Sequence, residues 1–196
     1  MEQADIKQRM IRAAKLDPDL YEEVEAQPEA ITQSLMVVLM SSVAAGIGAY
    51  SFFGLNSLIS GTFWALISWF LWAYITFLVG TRLFPEPQTQ SNIGELLRTI
   101  GFSTSPGVLR IFGIVLGQSL AGLLFFVTGI WMLVAMIVAV RQALDYDSKN
   151  LIFRFANNGT DKAVLVCVIS AIVVLMIQAV VVGVISMLFG TPEPMA

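Results

Sequence analysis

Histidine is absent from this chain, and cysteine occurs once, at Cys167. Without histidine, the chain lacks the commonest general base, proton shuttle and transition-metal ligand. A single thiol can form neither an internal disulfide nor a thiolate metal cluster. The phosphate-binding loop Gly-x-x-x-x-Gly-Lys-Ser/Thr is also missing. We therefore expect no enzymatic activity, no cofactor or metal, no nucleic-acid partner, and an apolar packing role for Cys167.

Charged residues are scarce as well: they make up 13% of the 196 residues, whereas hydrophobic residues make up 57%. The mean hydropathy of +0.78 implies more apolar surface than one soluble core of ordinary size can bury. A membrane must therefore be the solvent. The few charges are concentrated near the N-terminus and in two later loops. This distribution predicts a cytoplasmic N-terminal arm at 1–29, a membrane domain at 30–190 and a short non-cytoplasmic tail at 191–196.

Long charge-free stretches locate the membrane-spanning helices. Residues 30–81 contain no charge, and these 52 residues exceed twice the ~20 that one helix needs to cross a bilayer. The turn-forming sequence Gly54-Leu55-Asn56-Ser57 divides them into spans near Ala30–Phe53 and Leu58–Thr81. Closer to the C-terminus, Ala163–Phe189 is predicted as the last span.

The middle of the chain requires a break. Ile111–Val140 is free of charge, but its 30 residues as one helix would extend about 45 Å, too far without strong tilt. A break at Gly117-Gln118-Ser119 gives a fourth span near Leu120–Val140 and a third from about Gly94 to Leu116. Three charges and a proline interrupt this third span: Glu95, Arg98, Pro106 and Arg110. We expect it to be short, kinked or broken.

The cations support five crossings. With five spans, every lysine and arginine except Arg110 lies on the side of the N-terminus, namely Lys7, Arg9, Arg12, Lys15, Arg82, Arg98, Arg141, Lys149, Arg154 and Lys162. The loops and tail on the other side contain none, as the positive-inside rule requires. The sequence thus predicts an all-α bundle of five transmembrane helices, with the N-terminus in the cytoplasm and the C-terminus outside.

The N-terminal arm carries two helical signals. Ile6, Met10 and Ala14 are spaced four apart among cations, a weak amphipathic pattern that suits an anionic membrane surface. Asp17-Pro18 is typical of an N-cap followed by proline at the first helical position. The acidic residues that follow, up to Glu29, indicate either docking on a basic partner or a solvated arm that leads into the first span.

Two short segments resemble the Yip family of membrane proteins, the Ypt/Rab-interacting group. Asp19-Leu20-Tyr21 is similar to the Asp-Leu-Tyr-Gly-Pro motif of that family, with Glu22-Glu23 in place of Gly-Pro. Gly101-Phe102-Ser103-Thr104-Ser105-Pro106 resembles the family's Gly-Tyr-containing segment, with Phe102 in place of tyrosine. The likeness to the prokaryotic branch is strongest in residues 94–102 and 130–146, and in all it covers residues 17–189.

The resemblance implies five spans, a cytoplasmic N-terminal part and an interaction or scaffold role, which in eukaryotic members involves Rab GTPases and vesicle trafficking. Prokaryotic members have no settled activity, and the likeness to them implies a bacterial inner or plasma membrane. We therefore expect a membrane-embedded scaffold, an accessory subunit of a larger complex, whose partners are lipids and other membrane proteins or a second copy. The alternative is a transporter of a small solute or lipid, with Glu95, Arg98, Arg110 and Gln118 around a polar cleft. The candidate partner or cleft residues are Asp19, Leu20, Tyr21, Glu95, Arg98, Phe102, Pro106, Arg110 and Gln118.

Small and polar residues predict contacts between spans. Four small-x-x-x-small pairs are expected to bring helices close together: Ser42/Gly46, Ala44/Gly48, Gly113/Gly117 and Ala135/Ala139. Gln118 and Gln178 are interpreted as interhelical hydrogen-bonding residues, with a polar permeation path as the alternative. The last loop contains Asp145, Asp147 and Asp161, which we interpret as solvated, with a divalent-cation site as the alternative.

Overall fold

The computed structural model of the chain describes residues 5–50, 54, 56–146 and 159–189. All regular elements in these ranges are helical, which confirms the all-α prediction. Seven are α helices: α1 (Ile6–Ala14), α2 (Pro18–Glu25), α3 (Ala30–Gly48), α4 (Asn56–Leu78), α5 (Ile93–Ser103), α6 (Gln118–Ala143) and α7 (Thr160–Phe189). A π-helical turn, Val79–Leu83, continues α4, and a 3-10 segment, Ser105–Ile114, follows α5.

Four helical stretches within the described ranges are long and apolar enough to cross a membrane: Ala30–Gly48, Gly61–Leu83, Gln118–Ala143 and Thr160–Val184. They overlap the first, second, fourth and fifth predicted spans. The chain is therefore a membrane-embedded helical protein with four candidate spanning helices in its described part. The third predicted span is not among them.

In place of the third span lies a broken segment, composed of the 11-residue α5 and the ten-residue 3-10 segment. Pro106 explains the break, because it has no N–H for the carbonyl of Phe102 and its ring would collide with that carbonyl in a continued α helix. The hydroxyl of Ser105 donates to the Phe102 carbonyl instead, at 2.6 Å. The Phe102 carbonyl, which Pro106 cannot pair, thus accepts from the Ser105 hydroxyl as well as from a backbone N–H at the end of α5.

The broken segment runs beside α3 and in the same direction. Near the start of α3, Ser34 Oγ donates to the carbonyl of Arg98 at 2.9 Å. At the end of α3, a Cβ added to Gly113 would lie only 2.8 Å from the carbonyl oxygen of Gly48. The predicted close approach at Gly48 and Gly113 is therefore present. It depends on both residues having no side chain, because there is no space for one between the two backbones.

The other helices alternate in direction around this pair. α6 runs antiparallel to the broken segment, and its Ala135 and Ala139 are fully buried, as their predicted contact role requires. α4 packs against α7, and Gln178 Nε2 donates to Ser68 Oγ at 2.8 Å across their interface. The interhelical role predicted for Gln178 is thus confirmed.

The end of the bundle that carries the N-terminal helices, which we call the arm side, contains the largest buried cluster. The broken segment contributes Leu96 and Ile100, α6 contributes Val140, and α7 contributes Val166, all of them almost fully buried. The hydroxyl of Tyr146 lies within hydrogen-bonding distance of two carbonyls at the π-helical end of α4, at 3.1 and 2.9 Å. Burial raises the pKa of this phenol, and the nearby Glu86 carboxylate raises it further.

The arm, α1 and α2, is packed against the bundle. Arg9 is only 4% exposed, and it donates to Glu23 and Gln33. Arg12 donates to Asp17 and to the second oxygen of Glu23. Burial alone would raise the pKa of Glu23, but the bonds from Arg12 and Arg9 lower it below its usual range. The arm therefore contacts its own chain, which differs from a solvated lead-in, whereas docking of the arm on a basic partner stays a prediction.

Candidate functional site

The residues of the two family-like motifs meet in one buried cluster. Leu20 and Tyr21 of α2 and Phe102 of α5 are all fully buried there, together with Ala139 of α6. Asp19 stays exposed, and its N–H donates to the side chain of Asp17, the N-cap of α2. Leu20, Tyr21 and Phe102, which were candidate partner contacts, therefore join the arm to the bundle.

Arg98 holds the other end of α2. Its Nε donates to the carbonyl of Val24 at 2.9 Å, and Nη2 donates to the carbonyl of Glu25. These carbonyls end a helix that has no basic residue in its own last turn. A guanidinium there donates to these terminal carbonyls, of which that of Val24 also accepts from the Gln27 N–H at 3.4 Å, and it stabilises the negative end of the helix dipole. Arg98 therefore caps α2 from a different helix.

Glu95, Pro106 and Gln118 lie at three separate places: a helix start, the break, and the first position of α6. Glu95 forms a capping box with Asn92: the N–H of Glu95 donates to Asn92 Oδ1 at 3.1 Å, and the N–H of Asn92 donates to Glu95 Oε2 at 2.9 Å. Pro106 is buried at the break. Gln118 is exposed at the first position of α6. Glu95 and Arg98 both lie at the arm side. The four residues predicted to share one cleft, Glu95, Arg98, Arg110 and Gln118, are thus separated.

A cavity of about 940 Å³ lies between α3, α4, the broken segment and α6. Its lining includes small residues from three helices, namely Ala45, Gly46, Ala49, Gly61, Ala65 and Gly129, together with Trp69, Trp72 and Met132. Ile100, Ser103 and Thr104 line it from the end of α5. Small side chains on facing helices leave space that larger ones would fill. Sequence reasoning predicted a polar cleft around Arg110 but not these walls, because small residues at helical spacing were interpreted only as packing contacts, yet Ser42 and Gly46 line open space.

Arg110 is the charged residue of this cavity. Its Nε donates to Thr128 Oγ1 at 2.9 Å, and the Thr128 hydroxyl in turn donates to the Leu124 carbonyl at 2.8 Å. The centre of the guanidinium lies 5.1 Å from the centroid of the Phe125 ring, a cation–π geometry. A Cβ added to Gly129 would lie 3.5 Å from Nη2, an ordinary van der Waals contact, so Gly129 adjoins the guanidinium.

Arg110 has no acidic partner in the part of the chain that the structure describes. It contacts Thr128 and the Phe125 ring there, and the described residues that line the cavity include no carboxylate. An arginine at membrane depth normally pairs with an anion, with carbonyls or with water. Arg110 is therefore the one predicted cleft residue that lines a large cavity, and it does so without Glu95, Arg98 or Gln118.

A second, polar cleft of about 640 Å³ lies at the arm side, between the arm and the loops that follow α4 and α6. Gln142 donates to Glu22 there at 2.6 Å, and the N–H of Gln90 donates to Asp145 at 3.2 Å. Among the described residues, no group of three or more acids, cysteines or histidines could hold a metal ion. Asp147, part of the alternative cation site, lies outside the described residues.

Glu25 lies beside this cleft in an unfavourable setting for a charge. Burial, reinforced by the negative charges of Glu22, Asp145 and Glu95, raises the pKa of Glu25 to about 8. Within the described part of the chain, its Oε2 is buried without a hydrogen-bond partner. The arrangement therefore favours the protonated form of Glu25 while the arm is docked.

Comparisons of this chain with protein-family models, with curated proteins and with solved structures found no match.

Proposed function

We propose that this chain is a five-span membrane protein of the Yip type that binds a lipid-like ligand inside the bilayer. The observation that carries the proposal is the cavity of about 940 Å³, which is lined mostly by apolar groups and contains the guanidinium of Arg110. Pockets that bind small molecules typically measure about 300–1,000 Å³ and combine apolar walls with a few polar groups. A cavity open between transmembrane helices is reached most directly from the lipid phase.

The broken segment supports the fifth crossing. An 11-residue α helix and a ten-residue 3-10 helix together extend about 36 Å, which exceeds a hydrocarbon layer of about 30 Å. The segment also accompanies α3 from Ser34 to Gly48, so it reaches the same depth as a helix of spanning length. With this crossing, every cation among the described residues except Arg110 falls on the arm side, which favours a cytoplasmic arm.

The buried contact between the two family-like motifs supports membership of the Yip type. Leu20 and Tyr21 lie far from Phe102 in the sequence, but all three belong to one cluster. Both motifs therefore contribute to the same buried packing. Their burial also removes them as surface for a partner, so it lends no support to the scaffold function. A small-solute pathway is disfavoured as well, because the cavity walls are mainly apolar and Glu95 and Arg98 lie elsewhere.

Filling the cavity tests the proposal. Ala45 and Ala65 line it, and replacement of either by phenylalanine (A45F, A65F) should expel a ligand. Val43→Phe is the matched control, because Val43 lies on the same helix as Ala45 but is 41% exposed on the outside. Each protein is extracted in mild detergent and examined by native mass spectrometry. We expect a bound lipid-like mass on the wild type and on V43F that is lost from A45F and A65F. Equal occupancy in all four proteins, or none in the wild type, would refute the function.

A further inference from the structure

We infer that the ligand of this cavity is a single-chain amphiphile with a carboxylate head, a fatty acid, whose carboxylate binds the guanidinium of Arg110. The inference rests on the proposed function, because it assigns a ligand class to the same cavity. It starts from charge: within the described part of the chain, Arg110 is the charged residue of the lining and has no carboxylate beside it. An unpaired cation in an apolar cavity is costly, and an anionic ligand removes that cost.

The guanidinium is oriented for such a ligand. Thr128 accepts from its Nε, and the Phe125 ring lies 5.1 Å from its centre, so one edge and one face are already in use. Among the described residues, neither Nη atom has a hydrogen-bond partner, and Arg110 lines the cavity. The two Nη atoms can donate two parallel hydrogen bonds to the two oxygens of one carboxylate. Because Thr128 and Phe125 already fix the side chain, little conformational entropy is lost on binding.

The depth of Arg110 favours a carboxylate over a phospholipid headgroup. Its partner Thr128 lies ten residues into α6, roughly 15 Å from the end of that helix. A carboxylic acid reaches such a depth uncharged, because it can cross the hydrocarbon in its protonated form and then release its proton to water. A phosphate diester has no comparable neutral form near neutral pH. It would have to bring a full charge through the hydrocarbon.

The rest of the cavity suits an acyl chain. Trp69, Trp72, Ile100 and Met136 line it away from Arg110 and offer aromatic and aliphatic surface. One cation matches one monoanionic head, and the remaining wall suits one flexible apolar tail. A ligand with one carboxylate and one acyl chain therefore matches both the single cation and the apolar wall.

Quenching of tryptophan fluorescence by brominated lipids provides the test, because Trp69 and Trp72 line the cavity. Trp64 and Trp131 are replaced by phenylalanine, and A65F in the same background defines quenching by probe dissolved in the detergent. The probes are dibrominated stearic acid, its methyl ester and a dibrominated phosphatidylglycerol. We expect saturable quenching by the acid, with the ester at least about tenfold weaker, since it lacks the charge-assisted hydrogen bonds.

Variants at Arg110 locate the head. Arg110→Gln should weaken binding of the acid about tenfold or more and leave binding of the ester unchanged. Arg110→Lys keeps the charge but lacks the planar guanidinium, so its affinity for the acid should lie between those of the wild type and R110Q. The wild type alone gives a further measurement, should R110Q fail to fold: acid binding should weaken as lower pH protonates the acid, while ester binding stays constant.

The outcomes separate the inference from the function beneath it. Saturable quenching by acid and ester alike, unaffected by R110Q, would overturn the carboxylate head and leave a lipid-binding cavity. Saturable, Arg110-dependent quenching by the phosphatidylglycerol but not the acid would assign a phosphate head and overturn the inference in favour of that source. Quenching by all three probes that never exceeds the A65F baseline would overturn the proposed function itself.

Discussion

Arg98 and Arg110 lie on one segment of the chain but have different surroundings. Arg98 is 7% exposed and donates to two backbone carbonyls of α2, whereas Arg110 donates to one hydroxyl and faces a cavity. In the sequence both are arginines within an apolar stretch, and spacing alone cannot distinguish them. What distinguishes the two arginines is the element that each one contacts: α2 packs against Arg98, whereas Arg110 faces the cavity. The sequence can therefore predict that a charged residue lies at membrane depth, but it cannot predict whether that residue has a structural or a ligand-binding role.

Removing Arg98 should loosen the arm. Arg98→Ala removes the buried hydrogen bond to the Val24 carbonyl, which keeps only a long one of 3.4 Å from the Gln27 N–H, and the bond to the Glu25 carbonyl, at a cost of about 1–3 kcal/mol. Hydrogen exchange of the α2 amides should accelerate accordingly, while exchange in α6 changes little. Arg82→Ala is the control, because Arg82 is exposed. Unchanged protection of α2 in R98A would show that the cap contributes nothing to docking.

Glu25 makes arm docking depend on pH. Its pKa is raised to about 8 in the docked arm, from an ordinary value of 4.5. A raised pKa means that the docked state holds its proton more tightly. The contribution of Glu25 to docking is therefore largest below about pH 4.5, falls as pH rises from there to about 8, and then stays constant.

Glu25→Gln should abolish this dependence between pH 4.5 and 8 and dock the arm more firmly at pH 8. Hydrogen exchange of α2, corrected for the intrinsic effect of pH on exchange, measures it. Glu29→Gln serves as the control, since Glu29 is exposed on the same arm. The same slope in E25Q as in the wild type would assign the pH dependence to another group.

Among the elements, the broken segment differs most from expectation. Charge-free runs are long enough to define four spans, because a bilayer imposes a length on any apolar helix that crosses it. Pro106 predicts the interruption in the third, but it does not predict that a 3-10 helix follows. That geometry depends on the close approach to α3 at Gly48 and Gly113, a tertiary contact. Length and composition therefore predict the spanning helices, whereas packing decides the broken segment.

Glycine 48 should tolerate no side chain. A Cβ there would collide with the carbonyl of Arg110, a backbone group that cannot turn aside. Gly48→Ala should therefore destabilise the protein by about 1–3 kcal/mol, as overpacking does. Gly122→Ala is the matched control on α6, where an added Cβ meets nothing within 4 Å and a better helix former replaces glycine. In detergent, the thermal unfolding temperature should fall for G48A and rise for G122A. Equal shifts in the two variants would contradict the close contact at Gly48.

For the whole molecule, the sequence predicts the solvent but not the interior. Hydropathy and charge distribution indicate a membrane bundle, since these are sums over many residues. The cavity depends on the absence of side chains between helices, and the docked arm depends on contacts between Tyr21 and Phe102 that are distant in sequence. Neither leaves a local pattern. This is why the candidate cleft residues were grouped together although the structure separates them.

Cysteine labelling tests the five crossings. In a Cys167→Ala background, Gln90→Cys precedes the broken segment and Ser119→Cys follows it, and both sites are exposed. An impermeant maleimide added to one side of sealed vesicles should label only one of them, because a crossing lies between. Gln88→Cys, on the same loop as Gln90, should label together with Q90C. Labelling of both Q90C and S119C from one side would reduce the protein to four spans.

The charge at Arg110 also constrains the order of events during synthesis. A lone arginine near the centre of a helix costs about 2.5–3.5 kcal/mol on insertion, so the broken segment is a poor candidate to enter the bilayer by itself. Thr128 and Phe125, which accommodate the guanidinium, both belong to α6 and are synthesised later. We therefore expect the ribosome to finish α6 before the preceding segment settles in the bilayer, so that the two enter as a pair.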